Sequence, residues 1–280
     1  MAEVTIRGAT YFYTEQGTGE ETIVFSHGFL MNHSMFAPQL EAFSDAYRCI
    51  AFDWRGQGNS EATPEGYDME SLYEDAVAFI EALGIAPVHW VGVSMGGFIG
   101  IRLAARRPDL IRTLTLAETG AEAETPGKKL RWGLLANIFR LFGPGPVVKP
   151  ITKILFGRTT LADPAKQEMI ERFQKSWFQM NHSALVKTAF AIFQRADVQD
   201  LLPQIQAPTL VLVGEEDVAR PLEEAKKLQA GIPDARLVVI PEAGHSSPIE
   251  NPEDFNRALR VFLEAHSSRA QTVKEDRNEA

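Results

Sequence analysis

Apolar and polar positions along the chain divide it into short apolar runs and longer amphipathic stretches. Runs at 23–25, 49–52, 88–91, 113–117, 209–213 and 236–240 are mostly apolar and end in glycine, proline or polar residues. Runs of that length without a polar face read as strands buried on both sides of a sheet. Two more strands, at 4–6 and 10–13, pair around Gly8 as a hairpin at the sheet edge. Helical spacing separates the strands. Residues 69–83 put Leu72, Ala76, Phe79, Ile80 and Leu83 on one face, with Ser71 and Glu74 as a capping box and Gly84 as the stop. Further helices are expected at 98–107, ahead of Pro108, at 221–230, and at 252–265 behind an Asn251 cap. Strands alternating with helices indicate a mostly parallel sheet covered on both faces.

That rhythm breaks between 120 and 200, where no strand pattern occurs. The stretch 130–142 carries Leu134, Leu135, Ile138, Leu141 and Phe142, and Gly143-Pro144-Gly145-Pro146 interrupts it. Helices follow at 165–180, capped by Asp163 with Pro164, and at 184–195, capped by Ser183. The expected organisation is therefore a core of 1–119 and 201–266, a helical cap of 120–200 over the C-terminal edge of the sheet, and a flexible polar tail at 267–280.

Composition narrows the partners. The chain has 280 residues, a net charge of −9 and a pI near 5.3. This disfavours nucleic acid and polyanionic substrates, which need clustered Lys and Arg. The single cysteine, Cys49, lies in an apolar run and reads as a buried, inert thiol. The start Met1-Ala2-Glu3-Val4 lacks a secretory pattern, and no apolar run reaches spanning length. A cytoplasmic protein without stable membrane insertion is expected. His33, His89, His182 and His266 show no metal-ligand spacing, so no metal is expected; no organic cofactor is expected either. Asp53 and Arg55 are expected to form a local ion pair.

The candidate chemistry centres on Gly92-Val93-Ser94-Met95-Gly96, placed between a strand and a helix. A sharp strand-to-helix turn presents the central serine at the strand tip, beside the positive end of a helix. Asp217 and His245 also fall just past strand ends. In a parallel sheet such loops meet on one edge, so the three should converge. Histidine takes the proton of a serine that is otherwise a poor nucleophile, and aspartate holds the histidine tautomer. The Phe29 amide, after His27-Gly28, and the Met95 amide are the expected oxyanion donors. His27 itself is read as a structural residue that holds its loop.

The chain order serine, aspartate, histidine, with the segments 27–29, 53–58, 92–97, 214–217 and 244–245, resembles the α/β-hydrolase-fold serine esterases. The resembling branch includes enol-lactonases, methyl-ester carboxylesterases and cofactor-free haloperoxidases, and the likeness spans about residues 4–265. It implies the α/β-hydrolase fold: an eight-stranded, mostly parallel sheet flanked by helices. It also places the acid three residues after Gly214, at Asp217 rather than Glu215 or Glu216, with Glu118 as a lesser rival. Expected substrate contacts are Phe29, Trp54, Leu134, Ile138 and Trp177. The expected activity is hydrolysis of uncharged carboxylic esters with small to medium acyl groups. Lactonase or carbon–carbon hydrolase activity, or ligand binding without catalysis, are the alternatives. Membrane association through Lys128, Lys129, Arg131 and Arg140 is set aside, because the apolar face they flank is expected to pack on the cleft.

Overall fold

The computed structural model describes residues 1–267, so 268–280 of the expected tail lie outside the described residues. The strands are β1 Ala2–Ile6, β2 Ala9–Gln16, β3 Thr22–Ser26, β4 Arg48–Phe52, β5 Val88–Val93, β6 Ile111–Ala117, β7 Thr209–Gly214 and β8 Ala235–Ile240. They form one sheet in the order β1-β2-β4-β3-β5-β6-β7-β8. Only the β1–β2 and β2–β4 pairs are antiparallel. Every other pair is parallel.

Strand alternation supplies two cores from one sheet. Val24, Ile50, Phe52, Trp90 and Val211 point into one apolar cluster. Their neighbours Ile23, Phe25, Cys49, Ala51, Val91 and Leu212 point into the other. Successive side chains leave opposite faces of a strand, so a strand covered on both sides is mostly apolar; β8, at the sheet edge, is not buried on both sides as its apolar run suggests, and Val238 and Val239 are exposed. Burial pushes the Cys49 thiol up to about 12, so it is protonated at neutral pH.

The helices are α1 Ala37–Phe43, α2 Met69–Leu83, α3 Met95–Arg106, α4 Pro126–Phe142, α5 Val148–Leu155, α6 Arg158–Ala162, α7 Gln167–Gln179, α8 His182–Gln194, α9 Leu222–Gly231, α10 Ser247–Glu250 and α11 Pro252–His266. Helices α4 to α8 form an insertion between β6 and β7. The apolar pattern gives no sign of α1, α5, α6 or α10, because short helices carry too few turns to establish a period.

Three local expectations need correction. Helix α2 starts and stops as expected, but its cap is Asp68, whose side chain accepts from Ser71 N at 2.9 Å. Ser71 therefore sits inside the first turn instead of opening it. Asn181, not Ser183, caps α8 by accepting from Ala184 N at 3.0 Å. Arg55 pairs with Asp75 through two contacts of 2.9 Å, not with Asp53. Asp53 accepts instead from His33 N, in the loop after β3, and from Asn59 N, in its own loop. Gly84 does close α2, at a left-handed φ of 60°.

Candidate active site

Ser94 occupies the junction of β5 and α3 with φ 51° and ψ −106°, a strained conformation for a residue with a side chain. The junction is tight. A Cβ on Gly92 would stand 2.3 Å from Gly96 O, and one on Gly96 would stand 2.2 Å from Ser26 O. Only glycine allows both approaches. The turn is tied to β6, because Ser94 N donates to Ala117 O at 2.8 Å. Thr119 Oγ1 donates to Ser94 O at 2.8 Å from the loop beyond that strand. Strain at the serine is thus held by bonds on both sides.

The structure brings together the three residues expected to converge. His245 Nε2 lies 3.0 Å from Ser94 Oγ, and His245 Nδ1 lies 2.8 Å from Asp217 Oδ2. The other Asp217 oxygen accepts from Ala219 N at 2.8 Å and Arg220 N at 2.9 Å. The carboxylate is therefore fixed by its own loop, and one oxygen faces the imidazole. Its acidic neighbours face elsewhere. Glu216 accepts from Thr159 N, Thr159 Oγ1 and Arg158 Nε. Glu215 accepts from Glu242 N at 3.3 Å.

The loop after β3 lies against the serine: a Cβ on Gly28 would meet Ser94 Cβ at 3.2 Å. Met95 N–H is the first amide of α3 and has no intrahelical acceptor. His27 is fully buried and pins this loop: Trp54 N donates to its Nε2 at 2.9 Å, which leaves Nδ1–H to donate to Gly28 O at 2.7 Å. Burial lowers its pKa to about 4, against the smaller opposing effect of Asp53, so the ring is neutral.

Two buried glutamates hold the histidine loop. Glu250 accepts from Gly244 N at 3.0 Å and Ser246 N at 2.9 Å, the amides that flank His245. Its other oxygen accepts from Gly157 N of the insertion at 2.7 Å. Glu118 accepts from Ser247 Oγ at 2.6 Å. Its second oxygen is buried without a hydrogen-bond partner. Complete burial pushes the Glu118 carboxyl well above the usual carboxylate range, the charges of Asp217 and Glu250 add to this, and the Ser247 bond only partly offsets it. Sequence reading missed Glu250 because nothing local marks a glutamate five residues past the histidine.

Ser94 and His245 open into a cavity with about 940 Å³ of unfilled space, including its open mouth. Its walls are apolar: Phe29 from the core, Trp132, Leu135 and Phe139 from α4, and Leu185 and Ala189 from α8. A polar end is formed by Glu124 and Arg220. Arg195 Nη1 donates to Glu124 at 2.9 Å, Arg220 Nη2 donates to the same oxygen, and Arg220 Nη1 donates to Glu224 at 2.9 Å. The charges there are paired, so the cavity offers mainly apolar surface.

Of the expected substrate contacts, Phe29 lines the cavity and the other four do not. Trp54 is fully buried, packs edge-on against Phe52 and donates its indole N–H to His27 O at 3.1 Å. Trp177 is buried and donates to Leu30 O at 2.7 Å. Both indoles are spent on holding loops. Leu134 is 61% exposed, and Ile138 packs on the core cluster beside the cavity. The cavity face of α4 is instead Trp132, Leu135, Ala136 and Phe139, the i, i+3, i+4, i+7 row. Sequence periodicity found this helix but not which of its apolar faces turns inward.

Known proteins share this architecture. A thermophilic esterase from Thermogutta terrifontis superposes with a TM-score of 0.87 at 30% identity, over 95% of this chain and 100% of that one. An enol-lactonase from Burkholderia xenovorans LB400 also gives 0.87, at 28% identity over 94% and 100% of the two chains. The 3-oxoadipate enol-lactonase 2 of Acinetobacter baylyi is 29% identical over 242 residues, 86% of this chain and 88% of that protein. The alpha/beta hydrolase fold family matches residues 21–252, and the chain belongs to that family.

Proposed function

We propose that this chain is a serine hydrolase that cleaves carboxylic esters with apolar acyl groups of small to medium length through an acyl-serine intermediate. The observation that carries this reading is the unbroken hydrogen-bonded row Asp217–His245–Ser94, which ends at the mouth of an apolar cavity. Ser94 Oγ attacks the ester carbonyl as His245 Nε2 takes its proton. Asp217 stabilises the imidazolium. The tetrahedral oxyanion is bound by the Phe29 and Met95 amides, and losing one such donor typically costs about 3–4 kcal/mol in barrier height. Collapse breaks the bond to the leaving alkoxide, which takes the proton from His245. Water, activated by His245, then releases the acid and restores Ser94. The helical insertion acts as the cap, supplies the acyl pocket and excludes bulk water.

A lactone is an ester whose leaving alcohol stays tethered, so the same atoms would open one. The enol-lactonase names of two relatives favour this second reading. The intact row of three residues counts against a purely ligand-binding role. The test is Ser94→Ala on p-nitrophenyl butyrate, with a serine-directed sulfonyl fluoride as label. The variant should fold, lose several orders of magnitude in kcat and resist labelling. Full activity from the folded variant would end the serine mechanism. Parallel rates on a lactone series decide between the two substrates.

A further inference from the structure

Helix α4 has two apolar faces. One lines the cavity through Trp132, Leu135, Ala136 and Phe139. The other does not pack on the cleft. Leu130 is 77% exposed, Leu134 61%, Leu141 68% and Phe142 71%. At 100° per residue, Leu130, Leu134 and Leu141 fall within about 40° of one another, an outward row with Asn137 between its last two members. Lys129 and Arg140 flank the stripe on one side at about 80–100°, and Arg131 on the other. All three are exposed. Isolated surface leucines need no explanation, but an aligned stripe with a cationic border does.

The surrounding charge has one sign. Residues 125–162 contain seven Lys or Arg and no Asp or Glu, in a chain whose net charge is −9. Lys128 and Arg158 are paired to Glu224 and Glu216 of the core. Lys129, Arg140, Lys149 and Lys153 form no ion pair among the described residues, and all four are exposed. An apolar stripe bordered by long cationic side chains suits an interface where acyl chains lie below and anionic groups lie at the side-chain tips. Water or an acidic protein surface would satisfy the cations but not the leucines.

We infer that the outer face of α4 docks peripherally on an anionic lipid bilayer. The leucine stripe enters the headgroup–acyl boundary, and Lys129, Arg131 and Arg140 contact anionic headgroups. No described helix is long and apolar enough to cross a membrane, which fits contact at the surface alone. Docking there would bring the helix that walls the cavity against a store of apolar esters.

The test is co-sedimentation of the full chain with phosphatidylcholine vesicles that contain or lack phosphatidylglycerol. Binding should require phosphatidylglycerol, weaken as salt rises, and be lost in Leu130→Ser/Leu141→Ser. Lys129→Glu/Arg140→Glu should weaken it by well over tenfold, since each cation near such a surface contributes about fivefold. Hydrolysis of soluble p-nitrophenyl butyrate should be unchanged in both variants, which also shows that they are folded. The vesicle readout does not depend on esterase activity, so it stands or falls apart from the proposed reaction. Binding that ignores lipid charge, no binding, or variants that bind like wild type each overturn the inference. So does a sedimentation-velocity dimer that Leu130→Ser/Leu141→Ser dissolves, which would assign the face to self-association.

Discussion

Replacing Glu118 by Gln tests whether the buried carboxyl beside the acid loop is a neutral support or a second catalytic acid. The substitution keeps size and shape. The amide oxygen can accept from Ser247 Oγ as the carboxyl does at 2.6 Å, and the NH₂ takes the place of the oxygen that has no partner. An ionised group would leave that oxygen charged and unsatisfied, near Asp217 and Glu250. The folded-state carboxyl is therefore protonated at higher pH than in the unfolded chain. The sign follows from linkage. Below about pH 4 both states hold the proton and the group adds no pH dependence. As pH rises, the unfolded chain releases the proton first, and wild-type stability falls by up to about 1.4 kcal/mol per pH unit until the folded group also ionises. Glutamine cannot titrate, and its extra buried N–H costs about 1 kcal/mol at every pH. Urea unfolding from pH 4 to 8 should show the variant slightly less stable at pH 4, with the difference moving steadily in its favour above that. Its kcat should stay within a few-fold of wild type, whereas Asp217→Asn should lose on the order of 10⁴-fold. Parallel stability curves, or a kcat loss like that of Asp217→Asn, would refute the neutral-support argument.

Other expectations follow from the same geometry. His27, with a folded pKa of about 4, holds its loop only when neutral, so wild type should lose on the order of 3 kcal/mol as pH falls from 6.5 to 4. His27→Gln should lack that slope in urea titrations. Ala189→Phe fills the cavity, so kcat/KM for p-nitrophenyl octanoate should drop about tenfold or more relative to acetate, and equal ratios would detach α8 from acyl selection. Glu250→Gln presents an NH₂ to at least one of the three amides the carboxylate now accepts from. Stability should fall by about 1–3 kcal/mol and kcat should fall more than KM changes, because displacing His245 by an ångström costs about 10². An unchanged kcat would make Glu250 a purely structural brace.

Much of the fold is legible residue by residue. The runs around Val24, Ile50, Trp90 and Val211 are strands because each must fill two cores at once. Gly92 and Gly96 mark the serine turn because no side chain fits there. The chain order of Ser94, Asp217 and His245 suffices to bring them together, since parallel strands deliver their C-terminal loops to one edge. These readings succeed because their causes are local, or follow from topology alone. The errors share a different cause. Trp54 and Trp177 look like pocket residues in sequence, yet their indole N–H groups are claimed by His27 O and Leu30 O, partners set by tertiary packing. Asp53 and Arg55 are neighbours that do not pair, because Asp75 of α2 reaches the guanidinium first.

Helix α4 separates the two kinds of information most clearly. Its periodicity shows a helix with apolar residues most of the way round, but a helix can turn any face inward. The roll that places Phe139 in the cavity and Leu134 in solvent is fixed by α8 and the core beneath it, not by any residue of α4 alone. Apolar runs, turn glycines and chain order were enough to read the strands, the mostly parallel sheet and the three converging residues, whereas the strand order came from the fold. The cavity lining, the two glutamates that hold the histidine loop and the outward leucines could not be read that way, because burial and hydrogen-bond partners belong to surfaces that meet only in the folded chain.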